Sequence, residues 1–269
     1  MKALEAIKRG GAVFKDILPP MAIICVFNFI SAFAMLMLIG LNPTPEKIAE
    51  ITGPMIIIFI LMLLGWFFIE GGLFSSVMSI VKTGTLNMGE FVSDCSKYFA
   101  RLLGLNAIGG LITILLWLAG AFLTGIFIAF GGGNNVFFNI LGGIVLLLTL
   151  IAAAIAGMWL LISQYFTVID NIGVRDSLGK GFSFVKKYFW KTMLFFFILV
   201  ICVFAASFIV NFIATLLGNA IKGMGAAAIS IILTSLVNGA MGVFAAACIM
   251  TYILGVLQSE EQPTATAAE

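Results

Sequence analysis

Long apolar stretches alternate with short polar connectors along the whole chain. The apolar runs extend over about Leu18–Leu41, Pro54–Val81, Leu102–Phe130, Val136–Ile169, Thr192–Leu217 and Ala226–Leu257. Each reaches the ~20 residues that an α-helix needs to cross ~30 Å of hydrocarbon, so the pattern predicts six transmembrane helices. The longest connector is Asp170–Lys191. The first run exceeds the ~7–15 apolar residues of a signal-peptide core. It is followed by Asn42-Pro43-Thr44-Pro45, without a small-x-small cleavage site, and is expected to be a retained span.

Charge orients these spans. Four basic residues (Lys2, Lys8, Arg9, Lys15) precede the first run. Three (Lys82, Lys97, Arg101) follow the second run, and five (Arg175, Lys180, Lys186, Lys187, Lys191) follow the fourth. Twelve therefore fall on one side, against two, Lys47 and Lys222, on the other. Positive residues are retained in the cytoplasm, which predicts a multi-pass protein of the cytoplasmic (inner) membrane with both termini inside. Composition agrees: the chain is 62% hydrophobic and 10% charged, where soluble domains carry ~25% charge. The spans and their connectors leave no room for a soluble catalytic domain within these 269 residues. The basic residues flank apolar runs and form no nucleic-acid surface.

Three connector segments align. They are Glu5-Ala-Ile-Lys-Arg-Gly-Gly-Ala-Val-Phe-Lys-Asp-Ile-Leu-Pro19, Glu90-Phe-Val-Ser-Asp-Cys-Ser-Lys-Tyr-Phe-Ala-Arg-Leu-Leu-Gly104 and Asp176-Ser-Leu-Gly-Lys-Gly-Phe-Ser-Phe-Val-Lys-Lys-Tyr-Phe-Trp190. An acid opens each, an aliphatic follows (Ile7, Val92, Leu178), and apolar pairs coincide (Val13-Phe14, Tyr98-Phe99, Phe184-Val185). A fixed period indicates one structural unit used three times, here about residues 1–87, 88–172 and 173–257. Each unit is expected to be an interfacial amphipathic helix followed by two spans. Two spans per unit make the three units parallel, unlike the inverted repeats of many carriers. The expected fold is therefore an all-α membrane protein forming one six-span domain over 1–257, with a disordered cytoplasmic tail over 258–269.

The amphipathic helices are expected at the inner interface, with Phe14, Tyr98, Phe99 and Phe182 at headgroup level. Lys15, Arg101, Lys186, Lys187 and Lys191 are candidate contacts for anionic lipid, since cations near such a surface each contribute ~1 kcal/mol. The prolines fall at span ends, in an outer loop or in the tail. Small residues let helices approach closely. Gly71-Gly72, Ala152-Ala153-Ala154 with Gly157, and Ala245-Ala246-Ala247 predict that the even-numbered spans pack centrally, with the Phe-rich odd spans facing lipid. Gly131–Asn135 reads as a tight turn, having no phosphate-loop Lys-Ser/Thr.

Chemistry-bearing residues are few. Cys25, Cys202 and Cys248 lie in spans and Cys95 in a connector, without metal-ligand spacing. There is no histidine, the commonest general base and metal ligand. Glu70 is the one acid clearly inside a span, about 18 Å along the helix from Lys82. A charge at that depth costs at least ~2.5 kcal/mol, so a hydrogen-bonding neighbour is expected among Asn28, Ser163, Gln164 and Asn238. Glu70, Asn28, Gln164 and Asn238 form the candidate intramembrane polar site.

The six-span order, with Asp170-x5-Asp176 leading into Gly181-Phe-Ser-Phe-Val-Lys-Lys-Tyr-Phe-Trp-Lys191, resembles a group of bacterial and archaeal membrane proteins. They are related to the membrane domain attached to some glycerophosphodiester phosphodiesterases. The resemblance implies no phosphodiesterase activity here, because that family's separate catalytic domain is absent from this sequence. The expected function is non-catalytic: lipid organisation, or an accessory or scaffold role. The alternative is a small transporter or channel with Glu70 in a central polar path. An intramembrane enzyme is disfavoured, since no nucleophile–base pair or metal set can be assembled. No cofactor is expected. The expected partners are membrane lipids, with a membrane protein or a second copy of the chain.

Overall fold

The computed structural model describes residues 2–40, 44–131, 135–220 and 224–261. It is all-α, 94% helical, with eight α-helices among the described residues: α1 (Ala3–Phe14), α2 (Leu18–Ile39), α3 (Pro45–Thr83), α4 (Met88–Phe130), α5 (Val136–Ile169), α6 (Val174–Lys187), α7 (Phe189–Ala220) and α8 (Met224–Glu261). Six stretches are long and apolar enough to cross a membrane: Ala3–Ile39, Ile51–Thr83, Met88–Phe130, Val136–Ile169, Phe189–Leu216 and Ala228–Glu260.

Local chemistry sets the boundaries. A 3-10 turn, Lys15–Ile17, separates α1 from α2, whose first turn carries proline, where the missing N–H costs nothing. Gly40 ends α2 at φ 78° and Gly84 follows α3 at φ 72°, backbone that glycine adopts without a Cβ penalty. Asn135 caps α5 by accepting a hydrogen bond from the Phe137 N–H at 3.0 Å. Asp176 in the first turn of α6 and Lys186 and Lys187 in its last suit the helix dipole.

Several boundaries differ from expectation. The segment Glu90–Gly104 is not set off as a helix of its own but runs straight into α4, because it contains no proline or capping break. α4 has 43 residues, about 65 Å at 1.5 Å per residue. Pro54 lies inside α3, since the helix begins in the polar connector ahead of the apolar run. α8 continues to Glu261, so Gln258–Glu261 are helical, and Ser259 Oγ donates to the Val256 carbonyl at 2.7 Å. The rest of the expected tail lies outside the described residues, as do Lys222 and residues 132–134 of the glycine turn.

The chain forms two compact units, Met1–Phe99 with Trp190–Glu269, and Ala100–Phe189. In the first unit α8 is the core helix: Val243, Ala247, Cys248, Met250 and Ile253 have no solvent exposure. α1 and α2 both pack on it. A Cβ on Gly10 would meet Cys248 Cα at 2.7 Å, and one on Gly239 would meet Cys25 N at 3.2 Å, so these contacts are nearly backbone to backbone. Phe195 stacks on Tyr252 with centroids 4.3 Å apart, and the Tyr252 hydroxyl shares a 3.2 Å hydrogen bond with Thr192. The head of α4 rests on α3, where a Cβ on Gly72 would meet the Phe91 carbonyl oxygen at 2.9 Å.

In the second unit α6 lies along α5. A Cβ on Gly181 would meet Ser163 Cα at 3.1 Å. Thr167 Oγ1 donates to Ser177 Oγ at 2.8 Å, and the Trp159 indole N–H donates to the Leu178 carbonyl at 2.9 Å. α4 and α5 approach at Gly109 against Leu160 and at Gly120 against Thr149.

The three aligned segments make their closest approaches in one register. Ala6, Phe91 and Ser177 share an aligned position and are all buried; Gly10, Cys95 and Gly181, four residues later, are all buried too. Gly10 meets Cys248 on α8, Cys95 meets Gly72 on α3, and Gly181 meets Ser163 on α5. Positions i and i+4 lie on one helix face, so each segment presents the same face to a long apolar helix.

The expected central packing of the even-numbered spans holds for α8 alone. Two thirds (67%) of its most apolar stretch is buried, against 17% in α3 and 11% in α5. Ala152 and Ala154 are exposed, and Gly157 faces open space, because α5 concentrates its packing in Met158–Val168, where α6 lies. On α7, Phe204, Phe208 and Phe212 form an exposed stacked row.

Candidate functional site

Glu70 opens the buried part of α3, Glu70–Val77, and is only 9% exposed. It precedes Gly71 and Gly72, which bring α3 against the backbone of Phe91, Asp94 and Cys95. The same surface carries a hydrogen bond from Ser75 Oγ to Asp94 Oδ2 at 2.6 Å. Asp94, absent from the candidates read in the sequence, is thus drawn into the α3–α4 contact. Its acidic neighbourhood in a polar connector had no feature to separate it from a solvated residue.

The other polar candidates lie on α2, α5 and α8. Asn28 is half-buried on α2, and Asn238 is exposed on α8. Gln164 is buried within the second unit, where its Nε2 donates to Asn106 Oδ1 at 2.8 Å. Asn106 in turn donates to the Leu102 carbonyl at 2.9 Å. Asn106 is the partner that the sequence reading missed.

Of the proposed lipid contacts, Arg101 is committed internally. Its Nη1 donates to Asn171 Oδ1 at 2.9 Å and to the Ile172 carbonyl at 3.4 Å. It braces the turn where Asn171 adopts a φ of 52°, a conformation that asparagine tolerates better than most residues. Lys15, Lys186, Lys187 and Lys191 are exposed, with Lys187 above the Tyr188 ring. Tyr98 is buried, Phe14 packs edge-on against Phe244, and Phe99 packs against Phe68. These rings serve helix contacts. Phe182 alone of the four is exposed, its ring edge against Trp159.

A cavity of about 280 Å³ opens within the first unit, lined by Arg9 and Val13 of α1, Val81 of α3, and Thr251, Leu254 and Gln258 of α8. Thr251 is 5% exposed, and its Oγ1 has no hydrogen-bond partner among the described residues. Arg9 Nη2 pairs with Glu5 Oε1 at 2.8 Å, one helical turn away. A second cavity, of similar size and apolar, lies between α2 and α8 beside Cys25, Phe29 and Leu236. Among the described residues no group of three or more Cys, Asp or Glu is placed to hold a metal ion.

Long apolar helices with short connectors define a multi-pass integral membrane protein. No family model, curated protein or solved structure matches the chain.

Proposed function

We propose that this protein is a non-catalytic component of the cytoplasmic membrane that organises lipid around itself, as a lipid-ordering or accessory subunit. The observation that carries this reading is the common docking of the three amphipathic segments. Each buries small or apolar residues against a long helix and leaves cations exposed: Lys8 and Lys15, then Lys97, then Lys186 and Lys187. Held this way, basic side chains stand at a fixed depth beside anionic headgroups, each contributing ~1 kcal/mol. The twelve-to-two distribution of Lys and Arg supports both termini on the cytoplasmic side. The shared register of Gly10, Cys95 and Gly181 supports three parallel repeats. A shared layout with the membrane domain of glycerophosphodiester phosphodiesterases is part of the same proposal.

The rival reading, a small transporter or channel, draws on the burial of Glu70. Against that reading, the Gln164 Nε2 is committed to Asn106 and Asn238 is exposed on α8. Gentle extraction into lipid nanodiscs tests the primary reading. The lipid co-isolated with the protein should be enriched in anionic species relative to the bulk membrane. An unchanged lipid ratio would reject it.

A further inference from the structure

The cavity between α1, α3 and α8 combines a buried unpaired hydroxyl, a guanidinium and an apolar wall, and these select one kind of ligand. Buried polar atoms in folded proteins nearly always find a partner, and Thr251 Oγ1 has none among the described residues. Thr251 lines the cavity while its hydroxyl is turned out of a water's reach, so a turn of the side chain to another staggered rotamer lets a ligand oxygen accept its proton. Arg9 adds a charge of fixed sign at the same cavity. Its guanidinium carries five N–H donors, and the Glu5 contact through Nη2 leaves others for a ligand. Gln258 adds an amide at the rim, while Val13, Val81 and Leu254 supply apolar wall. About 280 Å³ holds roughly nine waters at liquid volume, enough for a phosphate group with a glycerol unit attached.

We propose that this cavity seats the phosphate-bearing headgroup of an anionic lipid. The phosphate oxygens accept from Arg9 and Thr251, and the glycerol end lies on Val13, Val81 and Leu254. Planar guanidinium groups match phosphate oxygens in paired hydrogen bonds. α1 belongs to the segment expected at headgroup level, which places the cavity where such a lipid can enter. The assignment rests on the lipid-organising reading and names its specific ligand.

The test measures thermal stability and lipid retention of the full chain in mild detergent, with phosphatidylglycerol, phosphatidylcholine or inorganic phosphate added in separate arms. Phosphatidylglycerol should remain bound in native mass spectra and raise the melting temperature; phosphatidylcholine, which carries the same phosphate beside a covalently attached cation, should do both more weakly. Thr251→Val keeps the side-chain shape and removes the unpaired hydroxyl, so without lipid it should melt no lower than the wild type. Thr251→Val and Arg9→Gln should each weaken phosphatidylglycerol binding about tenfold, the loss of one hydrogen bond to a charged group, while Lys180→Gln in the second unit should not. A response to inorganic phosphate, also lost in both variants, would uphold the site and assign it to free phosphate. Phosphatidylglycerol retained equally by the wild type and both variants would overturn the cavity assignment and leave the lipid-organising reading standing. Failure of the wild type to retain any anionic lipid would overturn both.

Discussion

Two adjacent glycines on α1 should respond in opposite directions to the same substitution. A Cβ added at Gly10 would stand 2.7 Å from Cys248 Cα, 2.7 Å from Cys248 Sγ and 2.9 Å from Cys248 N. Two of these are backbone atoms of a buried helix, and they cannot turn aside as a side chain would. A Cβ added at Gly11 would meet only Phe244 Cε2, at 3.7 Å, which is ordinary contact. Alanine in place of glycine inside a helix gains about 0.8–1.0 kcal/mol, and overpacking a close contact costs about 1–3 kcal/mol. Gly10→Ala should therefore weaken the docking of α1 on α8 by up to about 2 kcal/mol, a change of up to roughly thirtyfold in its undocked population. Gly11→Ala should strengthen α1 by up to ~1 kcal/mol. Limited proteolysis in detergent reads the effect locally, because Lys8 and Arg9 on α1 and Lys15 in the turn after it offer tryptic sites. Cleavage there should accelerate in Gly10→Ala and slow in Gly11→Ala, with cleavage in α6 unchanged. Equal rates in the two variants would refute the close packing of α1 on α8.

The remaining tests concern Glu70 and topology. Glu70→Leu should destabilise the protein by ~1 kcal/mol, the scale of a polar interaction between membrane helices, while Glu70→Gln should preserve both folding and any cellular phenotype. A folded Glu70→Gln protein that has lost a solute flux measured in proteoliposomes would favour the transport reading instead. Reporter fusions after Gln258 and within Asp170–Lys191 should report the cytoplasm, and one at Asn134 the outside. A cytoplasmic signal at Asn134 would defeat both the topology and the parallel repeats.

How much of this was legible in the sequence depended on whether a helix has two distinct faces. The six apolar helices were readable because backbone polar groups in hydrocarbon must be satisfied within the segment, which forces long uninterrupted apolar runs. The docked face of α1 and α6 was nearly readable as well. Both helices mix Lys and Arg with apolar residues, and the aligned segments already placed Ala6 with Ser177 and Gly10 with Gly181. The long apolar helices carry no such stripe, because a residue facing lipid and one facing protein are both apolar. The small-residue runs Ala152-Ala153-Ala154 and Ala245-Ala246-Ala247 therefore looked alike, yet Ala152 and Ala154 are exposed while Ala246 and Ala247 are buried.

What the sequence determined by itself was the set of membrane-crossing helices, the asymmetry of basic charge and the shared register of the amphipathic segments, since each follows from local composition and spacing. Only the tertiary structure decided that α8 is the core helix of its unit, that Arg101 braces a turn, that Gln164 pairs with Asn106, and that Thr251 lines a cavity beside Arg9. Those outcomes depend on which helix lies across from a given residue, and partners 58, 70 or some 240 positions away in the chain leave no local trace.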